Sequence, residues 1–173
     1  CSASSTEIDR YVIYNYAEQT WIYGSLSRTA WLDSGIENYP RAVSSGYIYQ
    51  QEVGFDDDGS PMTNVFIESS DFDIGDGDKF SFIRRLIPDF KFLSNSDGGK
   101  VNIVVKTRNF PGDSLTTNST NSISSTTQQS NIRARGRQAV LRFESDDDDV
   151  TANTNVGWRL GSTRLDVKTD GKR

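Results

Sequence analysis

Hydrophobic side chains recur at every second position along most of this chain, and no segment shows the three-to-four-residue spacing of an amphipathic helix. Arg10-Tyr-Val-Ile-Tyr-Asn-Tyr16 and Thr20-Trp-Ile-Tyr-Gly-Ser-Leu26 are aromatic and β-branched runs joined by Ala-Glu-Gln, which predicts an antiparallel hairpin. The same alternation predicts strands over 29–32, 46–50, 64–70, 80–92, 100–107, 132–144 and 158–167. Turn chemistry separates them at Asp56-Asp-Asp-Gly-Ser-Pro61, Gly75-Asp-Gly77, Asn95-Ser-Asp-Gly-Gly99 and Pro111-Gly112. The expected fold class is all-β.

Two units are expected from a shift in strand character. Residues 1–61 hold short strands rich in Trp and Tyr and flanked by acids, whereas the strands of 62–173 are longer and more basic, as in a pair of packed sheets. Between 113 and 130 Ser, Thr, Asn and Gln dominate, with Leu115 and Ile123 the only large apolar residues. That tract reads as a mobile polar loop or a polar edge hairpin, with Thr-rich strands a further option. Only 34% of residues are hydrophobic, so the core leans on nine Phe, seven Tyr and three Trp, each of which covers a large area.

Charge is divided unevenly. Residues 1–78 carry fourteen acids against three arginines, a net of −11, and residues 79–173 carry sixteen Lys and Arg against ten acids, a net of +6. Within the basic part, Arg133, Arg135 and Arg137 alternate along one predicted strand, with Arg142 farther on. Neighbours two apart on a strand lie about 6.7 Å from each other. Each adjacent pair therefore repels by about 0.6 to 2.5 kcal/mol, depending on the local dielectric. The candidates to face them are the chain's own acidic runs, carboxylates of a neighbouring subunit, or a phosphate backbone.

The absence of His and a lone cysteine, Cys1, exclude a Ser-His-Asp triad, a Cys-His dyad and a zinc site of Cys and His ligands built by this chain alone. No catalytic residue, cofactor or resident metal is expected. Asp71, Asp73, Asp76 and Asp78 crowd one turn and offer either a solvated acidic surface or a weak cation site, although Gly75 and the lack of a closing Glu break an EF-hand pattern. Asp146 to Asp149 form a second acidic block. Tyr11, Tyr14, Tyr16, Trp21, Tyr23 and Trp31 can pack between sheets or stack on a ligand ring. No apolar run approaches the about 20 residues of a membrane-spanning helix, so no membrane anchor of that kind is expected.

Several of these stretches resemble the tail hub or nozzle proteins of short-tailed, podovirus-type bacteriophages, also described as packaged-DNA stabilisation proteins. The first hairpin running into Ser-Arg-Thr-Ala-Trp31 is similar to propeller-blade strands of that group. Phe66-Ile-Glu-Ser-Ser-Asp-Phe-Asp-Ile-Gly-Asp-Gly-Asp78, Arg84-Arg-Leu-Ile-Pro-Asp-Phe90, Lys106-Thr-Arg-Asn-Phe-Pro-Gly112, Arg133-Ala-Arg-Gly-Arg-Gln138 and Gly157-Trp-Arg-Leu-Gly-Ser-Thr-Arg-Leu-Asp-Val167 resemble its C-terminal part. The likeness covers nearly the whole chain.

The resemblance implies incomplete β-propeller blades over 1–61, followed by an antiparallel β-sandwich-like domain over 62–173 with its polar loop at 113–130. It implies a structural virion protein, assembled in the host cytoplasm as a homo-oligomeric ring, commonly a hexamer. That ring extends the DNA channel below the portal and adaptor, and helps retain and release packaged DNA. Partners would be portal, adaptor and other tail proteins, and duplex DNA passing without sequence specificity. A full propeller needs four or more blades, so the chain would be the C-terminal part of a longer protein. Under this reading the acidic surface lines the channel and the arginines join subunits, with an arginine-lined lumen as the rival arrangement. The alternatives are a surface lipoprotein anchored at Cys1 and a glycan-binding β-sandwich module.

Overall fold

The computed structural model describes residues 3–6, 8–73, 77–94, 99–146 and 156–172. Its described residues form seventeen strands and no helix, arranged in antiparallel sheets of which none closes into a barrel. The chain divides into two compact units, 1–54 and 55–173.

In the first unit, β1 (Arg10–Asn15) and β2 (Thr20–Ser25) pair along their full length. The Asn15 Oδ1 fixes the turn by accepting the backbone amides of Ala17 and Glu18. Tyr11 lies across Gly24 on the opposite strand, in space that a β-carbon would fill. β3 (Ala30–Leu32), β4 (Arg41–Ser44) and β5 (Tyr47–Gln50) make a three-stranded sheet. Ser45 and Gly46, both at positive φ, close the β4–β5 hairpin as the two-residue turn whose twist matches that of paired strands.

The second unit opens with a small hairpin of β6 (Asp56–Asp57) and β7 (Ser60–Pro61), turned by Asp58-Gly59 in the same way. Its largest sheet runs β13 (Thr116–Ser124), β12 (Lys100–Arg108), β15 (Gln138–Ser145), with β8 (Phe66–Glu68) and β9 (Phe72–Asp73) sharing the far side of β15. A second sheet runs β14 (Ser130–Gly136), β10 (Ser81–Ile87), β17 (Arg164–Thr169), and β11 (Phe90–Ser94) pairs with β16 (Val156–Leu160). Alternate residues meet in one core: Ile83 and Leu86, Ile132 and Ala134, Val101, Ile103 and Val105, Leu141 and Phe143. Phe90 contacts both Phe143 and Trp158, whose indole donates to Ser145 Oγ at 2.9 Å.

Three long strands expected from the alternation are each broken in two. The stretch 80–92 becomes β10 and β11, 132–144 becomes β14 and β15 in different sheets, and 158–167 becomes β16 and β17. A core enclosed by more than one sheet requires these changes of direction, because a straight strand of thirteen residues would run past it. Two of the breaks coincide: β10–β11 and β16–β17 form one antiparallel ribbon that bends where Ile87 pairs with Arg164 on one side and Phe90 with Leu160 on the other. Asp89 holds the corner. Its carbonyl accepts the Gly161 amide at 2.7 Å and its carboxylate accepts the Ser162 amide at 2.9 Å, over a glycine with no room for a side chain. Within β10 a bulge between Ile83 and Arg85 shifts the phase, so Ile83 and Leu86 both point inward although they are three apart.

The polar tract is not a loop throughout. β13 occupies 116–124 as the edge of the large sheet, the edge-hairpin option, with Ile123 its one buried apolar side chain. Asn121 Nδ2 reaches Ser130 Oγ at 2.8 Å and the Asn131 carbonyl at 2.7 Å, tying this edge to β14 where no backbone ladder joins them.

Replacing Leu86 by Ala should cost about 2 to 5 kcal/mol. Asp89→Ala, which frees the corner amide without opening a core cavity, should cost about 1 kcal/mol. Urea unfolding of the two variants checks both the order and the gap.

Candidate functional site

The charged side chains of the second unit fall on two outward faces with opposite character. On the large sheet, burial of Val101, Ile103 and Val105 turns Asn102, Val104, Lys106 and Arg108 of β12 the other way. There they meet Arg142 and Glu144 of β15 and Glu68 of β8. Lys106 Nζ donates to Glu68 at 2.6 Å, Arg142 Nε to Glu144 at 2.5 Å, and Arg142 Nη1 lies 3.5 Å from Glu68. Arg142 also stacks 3.7 Å above the Phe66 ring. Arg108 pairs with Asp71 and donates to Gln138 Oε1 at 2.8 Å. Each of these cations has its own carboxylate, and Val104 and Val140 are buried beneath them. The hydrogen bond from Lys106, reinforced by its charge and that of Arg142, holds the Glu68 carboxyl below the usual glutamate range; partial burial pushes the other way and loses.

The opposite face belongs to β14, β10 and β17 and to the ribbon beyond the corner. Burial of Ser130, Ile132, Ala134 and Gly136 sends Asn131, Arg133 and Arg135 outward, as the alternation predicts. Arg135 pairs with the Asp170 carboxylate, donates to the Asp170 carbonyl at 3.2 Å, and lies 4.1 Å above the Phe80 ring. Arg137 stands in the bend after β14, half-buried, donating to the Gly77 carbonyl at 3.0 Å with its guanidinium 5.1 Å from Phe80. These two guanidinium groups roof a phenylalanine that is only 8% exposed. The four arginines singled out from the sequence are therefore not one row: Arg142 lies on the other sheet, and Arg135 and Arg137 are engaged within the chain.

Arg133 is exposed and makes no ion pair among the described residues. It shares that state with Arg84, Lys91, Arg159, Arg164 and Lys168, all on the outward side of the same strands. Lys91 and Arg159 are directly opposite each other. Sequence reasoning missed this set because its members are scattered over five strands; only the pairing register brings them together.

The acidic turn disperses. Asp71 is bound to Arg108, Asp73 lies in β9 opposite Gln138, and Asp78 pairs with Lys172 at 2.7 Å, which holds its carboxyl below the usual aspartate range. Asp76 lies outside the described residues, as do Asp147 to Asp149, Cys1, most of the 95–99 turn and part of the 75–77 turn. No group of three or more metal-ligating side chains converges among the described residues. The aromatic residues of the first unit stay largely exposed: Trp21 is 69% and Tyr23 77% accessible, and Tyr14 packs on Trp21 at 4.5 Å.

An apolar groove of about 290 Å³ lies between Phe55, Met62, Val65, Leu93 and Trp158, with Phe55 resting on Gly157. Lys100 and Ser145 are the polar side chains of its lining, and the Ser145 hydroxyl accepts from the Trp158 indole. Comparison with protein-family models and with curated proteins yields no match to this chain.

Because the folded-state pKa of Glu68 is depressed, its contribution to stability is present above the unfolded value near about 4.3 and is lost as pH falls through the lower folded value. Glu68→Gln should lower stability by about 0.5 to 1 kcal/mol at about pH 7, with the gap from the parent closing by about pH 3. Urea titrations at the two pH values test this.

Proposed function

We propose that this chain is a structural protein of a short-tailed phage virion, forming part of the ring that extends the DNA channel below the portal and adaptor. In this reading the first unit contributes β-propeller blade strands and the second a β-sandwich-like domain, and the chain works by assembly rather than catalysis. The sequence resemblance supplies the family.

One observation carries the assembly role: the β1–β2 hairpin is apolar on both faces. Register puts Val12, Tyr14, Trp21 and Tyr23 on one side and Ile13 and Ile22 on the other, and all six are exposed. An isolated two-stranded hairpin is marginal in water, and apolar surface on both sides of one calls for a neighbour on each. Strands stacked between blades meet that demand. The three-stranded sheet of the same unit adds exposed Trp31, Leu32 and Ile48.

Sedimentation velocity at tens of micromolar should find a closed oligomer of this 19.3 kDa chain, with six protomers expected. Trp21→Glu combined with Ile22→Glu, which charges both faces at once, should return it to monomer while leaving the fold of the second unit intact. A parent chain that stays monomeric at tens of micromolar overturns the proposal.

A further inference from the structure

We infer that the outward face of β14, β10, β17 and the β11–β16 ribbon is a binding surface for the phosphodiester backbone of duplex nucleic acid. Six exposed cations, Arg84, Lys91, Arg133, Arg159, Arg164 and Lys168, stand on it without an ion-pair partner among the described residues. Of the described acids on these strands and their corner, Asp166 faces Arg85 at 3.6 Å, Asp170 pairs with Arg135, and Asp89 accepts the Ser162 amide. Among the described residues these three acids stand against eight cations, the six together with Arg85 and Arg135, and a positive surplus remains, in contrast to the large sheet, where Lys106, Arg108 and Arg142 are each matched.

Three features select the partner. The charges follow a ribbon whose chain path from Arg159 to Lys168 spans at most about 30 Å. A duplex presents one phosphate charge per about 1.7 Å of its axis, enough to meet every cation on such a strip. The face lacks the apolar centre of a protein interface: among the described residues of its strands Ile87 is the one exposed large hydrophobic side chain, and the exposed Phe110 stands at its margin, 5.9 Å from the Arg137 guanidinium. Its strands also present no ring free to stack on unpaired bases among the described residues: Phe90, Phe92 and Trp158 pack against the core and Phe82 is half-buried. Phosphate contact without base stacking describes sequence-independent duplex binding. The net charge of −5 belongs to the whole chain, whereas the described strands of this face carry the opposite sign.

This inference stands on the charge map and does not depend on the phage reading. Fluorescence anisotropy with a labelled random-sequence DNA duplex tests it. Six contacts predict an affinity that falls about 10³-fold between about 50 and about 200 mM salt. Arg133→Gln with Arg164→Gln should reduce the magnitude of the log–log salt slope by about 2, whereas Lys106→Gln, on the matched face, should leave the slope unchanged.

Absence of binding at about 50 mM salt overturns the inference, as does a slope indifferent to the double substitution. Loss of self-association with DNA affinity intact would also overturn it, assigning the face to acids of a second copy. Sedimentation velocity on the same protein separates the two proposals: rings without DNA binding remove only this inference, and DNA binding by a stable monomer removes only the phage ring.

Discussion

Ile132 and Ala134 are the residues on which the surface chemistry of the second unit turns. They are the only large or small aliphatic side chains in β14, and both are buried almost completely in the core shared with Ile103, Leu141 and Leu86. A strand offers its side chains to two sides in strict alternation, so burying these two commits Asn131, Arg133 and Arg135 to the outside. The same rule, applied to β12, β15 and β17, and to β10 on either side of its bulge, sorts the charges on those strands onto one outward face or another. Charge placement is thus a by-product of core packing, and a one-residue slip in register would bring arginine into the apolar interior.

What differs between the two faces is the supply of carboxylates. β8 and β9 lie along β15 and carry Glu68 and the neighbouring Asp71 to the large sheet, where they meet Arg142, Lys106 and Arg108. Among the described residues no comparable acidic segment borders β14, whose edge faces β13, a strand of Ser, Thr and Asn. Position in the strand order, more than the number of arginines, decides which cations remain available.

The strands themselves were legible in the sequence wherever apolar alternation was strong, as in the β1–β2 hairpin and β12. The corners were not, because composition barely changes at them. A subtler signal exists in the phase of the alternation. Inward residues are even-numbered at 132 and 134 and odd-numbered at 139, 141 and 143, and they pass from 158 and 160 to 165 and 167. Each flip marks a strand leaving one sheet for another. β13 was harder still, since its backbone pairs regularly with β12 while only Ile123 reaches the core. The four arginines looked like one site because they are close in sequence; the six unpaired cations did not, because strands far apart in the chain bring them together.

The ribbon that bends at Asp89 also orders events in time. β10 finds its partner β17 only after some eighty intervening residues have been made, and β11 likewise waits for β16. The hairpins β1–β2, β4–β5 and β12–β13 close over short loops and can form as the chain emerges. On a ribosome, then, the second unit has one sheet lacking an edge strand and an open apolar core until its last strand appears. Its folding is governed by a late, non-local closure, the slow step expected where contacts are distant in sequence.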